Sequence, residues 1–566
     1  MVQLGRDQIP RPDDITALSL GSVLSGGGFG PPDNNPTSWA AMVHAYHRAS
    51  MKSRLGVPIL YGIDAVHGHG NVRGAVIFPH NVGLGATRDP DLVERIGRVT
   101  AEEVVATGVD WTFAPVVAVV RDERWGRTYE GFGEATELAE LLGPAAVRGF
   151  QGARLGKGPA SVLACAKHFV GDGATKLGVD RGDDDLDETE IRRLLVPPYA
   201  RAVEARVGSI MVSYSSVRGV RMHCSGRLLT DVLKRELGFN GFVVSDWQAI
   251  EQIPTDYDTS LAFAINSGID MVMHPRVGAG VIDAISGLVP SRVSNERIDD
   301  AVRRILAIKC EMGLLDPGHF QLDESGTIKK DQRRLREVGS EAHRQLARDA
   351  VRKSLVLLKN ERAVLPLAKD LPSLFVTGRG ADNLGYQCGG WTVEWQGGSG
   401  PITTGTTILE AIKRAVSPKT RVSTGYESAA PPSVALVVIG EAPYAETAGD
   451  RHDLALDPAD VQAVRSAKAT GARVVAVILA GRPLILGPVA DLADALVVAW
   501  LPGSEGAGVT DVLFGDTAPS GKLPHSWPKS MEQVPINVGD SRYDPLFPYG
   551  FGLTYPKHEP AKRAAN

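Results

Sequence analysis

Through the first half of the chain, short unbroken apolar runs alternate with longer stretches in which apolar residues return every three or four positions. The first pattern is that of strands buried on both faces, the second that of helices with one buried side. The alternation predicts a parallel sheet with crossover helices. Predicted strands cover 57–63, 111–117, 161–167, 209–213, 241–245 and 269–273, with 21–25 as a further one. Between them, Asp89-Pro90 reads as a helix start with a capping carboxylate and a first-turn proline, and Asp187 with Glu190 reads as a reciprocal capping pair. Such a count is compatible with a closed (β/α)8-type barrel and with an open doubly wound sheet.

Polar residues recur where these runs end: Asp64 after Tyr61-Gly62-Ile63, Lys167 and His168 after Ala164-Cys165-Ala166, Tyr214 after Met211-Val212-Ser213, and Asp246 after Val243-Val244-Ser245. In parallel α/β folds that edge carries the active site, so a shared pocket is expected there. Beyond a helix ending near Met312 the rhythm is lost over 315–334, which reads as a linker. Apolar runs at 374–377, 434–440, 474–479 and 495–500 then announce a second α/β unit. The expected division is a barrel domain at 1–317, a linker at 318–335, an αβα sandwich at 336–556 and a tail at 557–566. The turn Gly378-Arg379-Gly380 does not complete a dinucleotide fingerprint.

Composition narrows the partners. A chain of 566 residues outgrows one hydrophobic core, which agrees with two large domains. A net charge of −5 offers no basic surplus for nucleic acid, and no run reaches the ~20 apolar residues of a membrane span. The start lacks the basic-then-apolar pattern of a secretion leader, and the chain reads as soluble. Four widely spaced cysteines read as buried free thiols. No His/Asp/Glu grouping has metal-ligand spacing; His67 and His69 flank Gly68, a pattern more typical of hydrogen bonding in a tight loop.

A set of ordered motifs resembles glycoside hydrolase family 3, in particular its exo-β-glucan glucohydrolase and β-glucosidase branch. They are Tyr61-Gly62-Ile63-Asp64-Ala65-Val66-His67-Gly68, Arg121-Asp122-Glu123-Arg124-Trp125-Gly126-Arg127, Lys167-His168-Phe169 and Val244-Ser245-Asp246-Trp247 in the first half. Gly389-Gly390-Trp391-Thr392-Val393-Glu394-Trp395 and Glu441-Ala442-Pro443-Tyr444-Ala445-Glu446 follow in the second. The resemblance implies a barrel, a linker and an αβα sandwich with the site at their interface. It further implies hydrolysis of terminal β-D-glucosyl residues with glucose released, through a covalent intermediate and without cofactor or metal. By the same resemblance the chain begins inside the family's usual first helix, which leaves secretion, periplasm and cytoplasm all open.

Retaining hydrolysis needs one carboxylate that attacks the anomeric carbon and a second carboxyl group that protonates the leaving oxygen and later activates water. By resemblance Asp246 is the nucleophile and Glu446, from the second domain, the acid/base, with Glu441 the nearby competitor. Asp64, Arg127, Lys167 and His168 are implied to bind the terminal sugar, Tyr214 to lie close to the nucleophile, and Trp247 and Trp395 to clamp the next ring. In relatives acting on N-acetylglucosaminides a histidine commonly follows the Lys-His-Phe motif; here the loop reads Gly171-Asp172-Gly173. β-Xylosides differ from glucosides by one hydroxymethyl group, and Asp64 is expected at that end of the sugar. A non-catalytic sugar-binding protein on the same scaffold would lack one of the two carboxylates, and both are present.

Overall fold

The computed structural model describes residues 1–158, 160–274, 279–320, 334–426 and 431–555. Most of the expected linker and the whole expected tail lie outside the described residues.

The first unit is a ring of short parallel strands. In chain order these are β1 (Val2–Gly5), β2 (Ser22–Ser25), β3 (Leu60–Ile63), β4 (Trp111–Thr112), β5 (Cys165–Phe169), β6 (Ser209–Val212), β7 (Phe242–Val244) and β8 (Val272–His274). They form a five-stranded sheet ordered β8-β1-β2-β3-β4 and a three-stranded sheet ordered β7-β6-β5. Single parallel bridges, Trp111 to Leu163 and Val244 to Met271, join the two sheets at both seams. Eight strands thus follow one another around a (β/α)8-type barrel.

The start of the chain departs from expectation, because Val2–Gly5 is a barrel strand and not part of a helix. It pairs with both β2 and β8, and all four residues are buried, including Gln3, whose amide bonds to Ser22. The strand predicted over 111–117 is shorter than its apolar run. Its ladder stops at Thr112 just before Pro115, which has no N–H to donate, and Val116 makes only a single bridge to Lys167. Both predicted caps are present: Asp89 accepts from the Leu92 amide at 3.0 Å, and Asp187 and Glu190 cap each other's backbone.

The second unit is a six-stranded sheet of β9 (Val356–Asn360), β10 (Ser373–Thr377), β11 (Arg421–Ser423), β12 (Val434–Gly440), β13 (Arg473–Leu479) and β14 (Ala495–Trp500). The order is β9-β14-β13-β12-β10-β11, parallel throughout except for β9 against β14. Alternate residues of β12 serve two cores. Val434, Leu436 and Val438 meet the helices Ile408–Ala415 and Ala507–Leu513, while Ala435, Val437 and Ile439 meet Pro458–Ala469 and, from the barrel unit, Val82, Ala86 and Tyr129. Burial of both faces explains why the central strands read as unbroken apolar runs. The helix Glu341–Ser354 contributes Ala347 and Ala350 to the barrel core and Val351 to the sandwich core, so the two units share packing.

All four cysteines are free; Cys165 and Cys388 are buried, but Cys224 is half-buried and Cys310 is exposed. Cys310 lies in the last turn of the helix Asn295–Glu311 and faces outward, an orientation that the apolar run around it conceals. No helix among the described residues is long and apolar enough to cross a membrane.

Candidate active site

The C-terminal ends of the barrel strands open into a cavity of about 350 Å³, closed on one side by loops of the second unit. All nine residues singled out from the sequence line it: Asp64, Arg127, Lys167, His168, Tyr214, Asp246, Trp247, Trp395 and Glu446.

Asp246 lies one residue beyond β7, after Ser245. Its Oδ1 accepts from the Trp247 amide at 2.7 Å, and its own amide donates to His223 Nε2 at 3.0 Å. Burial lowers the His223 pKa to about 4, so the ring is neutral and its Nε2 is free to accept. The second oxygen, Oδ2, lies 3.7 Å from His168 Nε2. His168 is fixed from behind by Asp172, whose Oδ2 lies 2.6 Å from Nδ1, and Asp172 in turn accepts from Ser213 and Ser215. Asp172 of the Gly-Asp-Gly loop therefore orients a ring at the site.

Next to His168, whose Nε2 lies 3.5 Å from its Nη2, Arg127 forms a two-pronged pair with Glu130, at 2.8 and 2.9 Å. Burial raises the Glu130 pKa, but Arg127 and Lys167 outweigh it and hold the carboxylate below the usual range. Glu130 Oε1 also accepts from the Trp391 indole at 3.0 Å. Trp391 lies beneath both cations, its ring centroid 5.9 Å from the Arg127 guanidinium and 5.6 Å from Lys167 Nζ. Lys167 donates to Asp64 Oδ1 at 3.1 Å. Burial raises the Asp64 pKa, and the Lys167 charge only partly offsets it.

Glu446 begins a short 3-10 turn, Glu446–Gly449, of the second unit and takes φ 54°, a left-handed conformation that strains a non-glycine residue by about 1–2 kcal/mol. Its carboxylate meets Arg127 at 3.3 Å and Arg181 at 2.7 Å. Burial raises its pKa; Arg127 and Arg181 pull it down, Asp180 and Asp246 push it up, and the net direction is upward. The loop is pinned to the barrel from both sides: Asp450 accepts from the Gly126 and Asp180 amides, each at 2.8 Å, and Thr447 donates to Asp180. Gly126 is required there, since a Cβ would sit 2.0 Å from the Glu446 carbonyl oxygen.

Glu441 faces elsewhere. It pairs with the fully buried Arg482 at 3.0 Å and accepts from the Tyr444 hydroxyl, and Arg482 donates to three successive carbonyls, of Glu123, Arg124 and Trp125. This network supports the loop and does not line the cavity.

Trp247 and Trp395 stand toward the mouth, Trp395 being 39% exposed and packed over Gly27. Sequence reading missed Arg181, Glu130, Trp391 and Phe29. Trp391 lies within a quoted motif and Phe29 directly follows the glycine run Gly26-Gly27-Gly28, but Arg181 lies in an acidic loop that carries no pattern pointing to a site.

A cavity at the C-terminal edge of a parallel barrel, lined by cations, carboxylates and indoles and completed by a carboxylate from a second domain, defines a glycoside hydrolase. The Glycosyl hydrolase family 3 N terminal domain matches residues 2–308 and the family 3 C-terminal domain residues 355–555. The chain belongs to glycosyl hydrolase family 3. It is 33% identical to a lysosomal beta glucosidase of Dictyostelium discoideum, over 95% of this chain and 69% of that protein. A periplasmic beta-glucosidase of Salmonella typhimurium is also 33% identical, over 89% and 72%. Among solved structures, the exo-1,3/1,4-beta-glucanase of a Pseudoalteromonas species superposes with a TM-score of 0.91 at 40% identity, covering 98% of this chain and 71% of that one. A beta-glucosidase of Listeria innocua in complex with laminaribiose gives 0.84 at 27% identity, covering 98% and 80%.

Proposed function

We propose that this retaining, exo-acting β-glucosidase uses Asp246 as its covalent nucleophile and Glu446 as its acid/base. The observation that carries the assignment is the pairing of environments. Asp246 sits at a strand end with one oxygen fixed by the Trp247 amide and the other directed toward His168. Glu446 is largely enclosed at the domain boundary, where desolvation holds its pKa above the usual carboxylate range. Two carboxyl groups whose surroundings differ in this way divide the labour that retention requires.

Asp246 attacks the anomeric carbon while Glu446 protonates the departing oxygen. The anion left on Glu446 is stabilised by Arg127 and Arg181 and then takes a proton from the water that releases glucose. Asp64, Lys167, Arg127 and His168 bind the hydroxyls of the terminal unit through charged hydrogen bonds, and Trp247 with Trp395 holds the next ring at the mouth. Stacking at the mouth suits β-gluco-oligosaccharides of more than one linkage, because an indole senses a ring face more than a particular hydroxyl. A relative named a beta-xylosidase, from Formosa agariphila, is 30% identical over 90% of this chain, which makes β-xylosides the comparison substrate.

The test is kcat/KM on aryl β-glucoside, aryl β-xyloside and aryl N-acetyl-β-glucosaminide. A clear preference for the glucoside is expected. Preference for the glucosaminide would overturn Glu446 as acid/base and leave it a structural partner of Arg127 and Arg181.

A further inference from the structure

Behind the loop that carries Arg127, three side chains distant in the sequence converge in the interior. Glu123 and Glu134 come from the segment following β4, and His525 comes from the last part of the second unit. One ligand atom of each lies within 4.8 Å of the others, and the residues are 1%, 0% and 0% exposed. Their bonding is incomplete. Neither oxygen of Glu123 accepts from another residue, and neither ring nitrogen of His525 has a partner among the described residues. Glu134 Oε1 accepts from the Ser526 hydroxyl and the Val538 amide, whereas Oε2 accepts only from the Ser526 amide and keeps a free lone pair. Asn537, the neighbour of Val538, carries a further buried amide oxygen without a partner.

Buried polar atoms are nearly always satisfied, so five unpartnered atoms in these residues call for an occupant. Among the described residues, Arg121 is the one cation beside the two carboxyl groups, and it does not close the cluster. Arg121 is itself occupied by the Glu134 carbonyl and by Asp540 at 3.9 Å. We propose that Glu123, Glu134 and His525 bind a divalent transition ion of the Zn2+ or Mn2+ class, which clasps the barrel to the second domain. One imidazole among oxygen donors selects that class over Mg2+ and Ca2+, which favour oxygen alone. The site is structural: its residues belong to the wall behind Arg127, and the ion closes the seam already made by the Glu134 amide bonding to the Pro524 carbonyl at 3.1 Å. Ligand spacing in the sequence could not reveal it, because about 390 residues separate its two halves.

The test uses untagged full-length protein. After dialysis against a chelator, addition of Zn2+ or Mn2+ is expected to raise the melting temperature by roughly 5 °C or more, and elemental analysis to find about one equivalent retained. Glu123→Gln and His525→Asn should each abolish the shift and the retained metal. The proposal is overturned if wild-type protein retains no ion and shows no shift, if either variant shifts as wild type does, or if only Mg2+ or Ca2+ acts. With no ion bound, Glu123 would instead be a protonated acid hydrogen-bonded within the cluster, and Glu123→Gln would melt at or above the wild-type temperature.

Discussion

The two glutamates of the segment following β12 separate chemistry from architecture at the level of single side chains. Under the proposed roles, Glu446→Ala removes the proton donor and Asp246→Ala the nucleophile. Each is expected to lower kcat on an unactivated glucoside about a thousandfold, on the order of 4 kcal/mol, without a comparable loss of melting temperature. Azide separates the roles. With Glu446→Ala and an aryl glucoside of a good leaving group, azide should restore turnover and give the β-glucosyl azide, because it attacks the glycosyl-enzyme without needing a base. Retention through Asp246 in that variant is what the product's configuration reports; an α-azide would exclude it. Glu441→Ala should behave in the opposite way, leaving Arg482 buried without its counter-charge. A loss of about 3–5 kcal/mol in stability is expected, with near wild-type kcat for the protein that folds. The alkaline limb of kcat/KM should follow the Glu446 proton, since the acid form is required and is lost as pH rises through its pKa. Arg181 favours the anion, so Arg181→Met raises that pKa and moves the limb to higher pH; a limb that moves down would remove Glu446 as the titrating group.

Among the elements, the loop after β4 and the turn Glu446–Gly449 are mutually dependent, and Gly126 is where they touch. A methyl group at Gly126 would lie 2.0 Å from the Glu446 carbonyl and 2.8 Å from the Asp450 amide, both backbone atoms that cannot swing aside. Gly126→Ala should displace the turn and cost ten- to a hundredfold in kcat by misplacing the carboxyl group, while an activated leaving group that needs little acid help should be much less affected. Equal loss on both substrates would show that the loop shift disturbs the sugar pocket itself. This reach across the chain explains what the sequence could and could not reveal. Asp64, Lys167, His168, Tyr214 and Asp246 were legible because each ends an apolar run, and the parallel fold gathers such ends at one edge. Glu446, Arg127 and Trp395 were accessible only through motif resemblance, since nothing in local periodicity points from one domain into the other. Arg181 and Glu130 were missed: a charge in a polar loop reads as solvated, and only the packing shows that Arg181 stacks on Tyr214 at 4.3 Å and faces Glu446. The strand Val2–Gly5 escaped because a four-residue run with a buried glutamine shows neither helical nor alternating period.

A site built from two domains is only as well defined as their contact, and much of that contact is electrostatic. Arg482 of the second unit caps carbonyls of the loop that carries Arg127, Lys353 meets Asp89 at 2.6 Å, and His343 of the helix Glu341–Ser354 meets Glu103 of the barrel at 2.8 Å. His343 makes the contact sensitive to pH. Burial disfavours its charge, but the hydrogen bonds to Glu102 and Glu103 win and raise its pKa to about 9. With an unfolded value near 6.5, the folded protein binds the extra proton between the two, so this contribution is complete below about pH 6.5 and is lost as pH rises through about 9. The ring is buried, but its partner Glu102 is a third exposed and partly screened, so the expected effect is modest, a fall of roughly one or two degrees in melting temperature between pH 7 and pH 9.5 beyond that of a His343→Gln protein. Comparing the two proteins across that range isolates the single proton, because the remaining titrating groups are common to both. Parallel curves would mean that His343 and Glu103 contribute nothing through charge, and the domains would then be held together by the shared apolar core around Ala347 and Ala350 alone at that point.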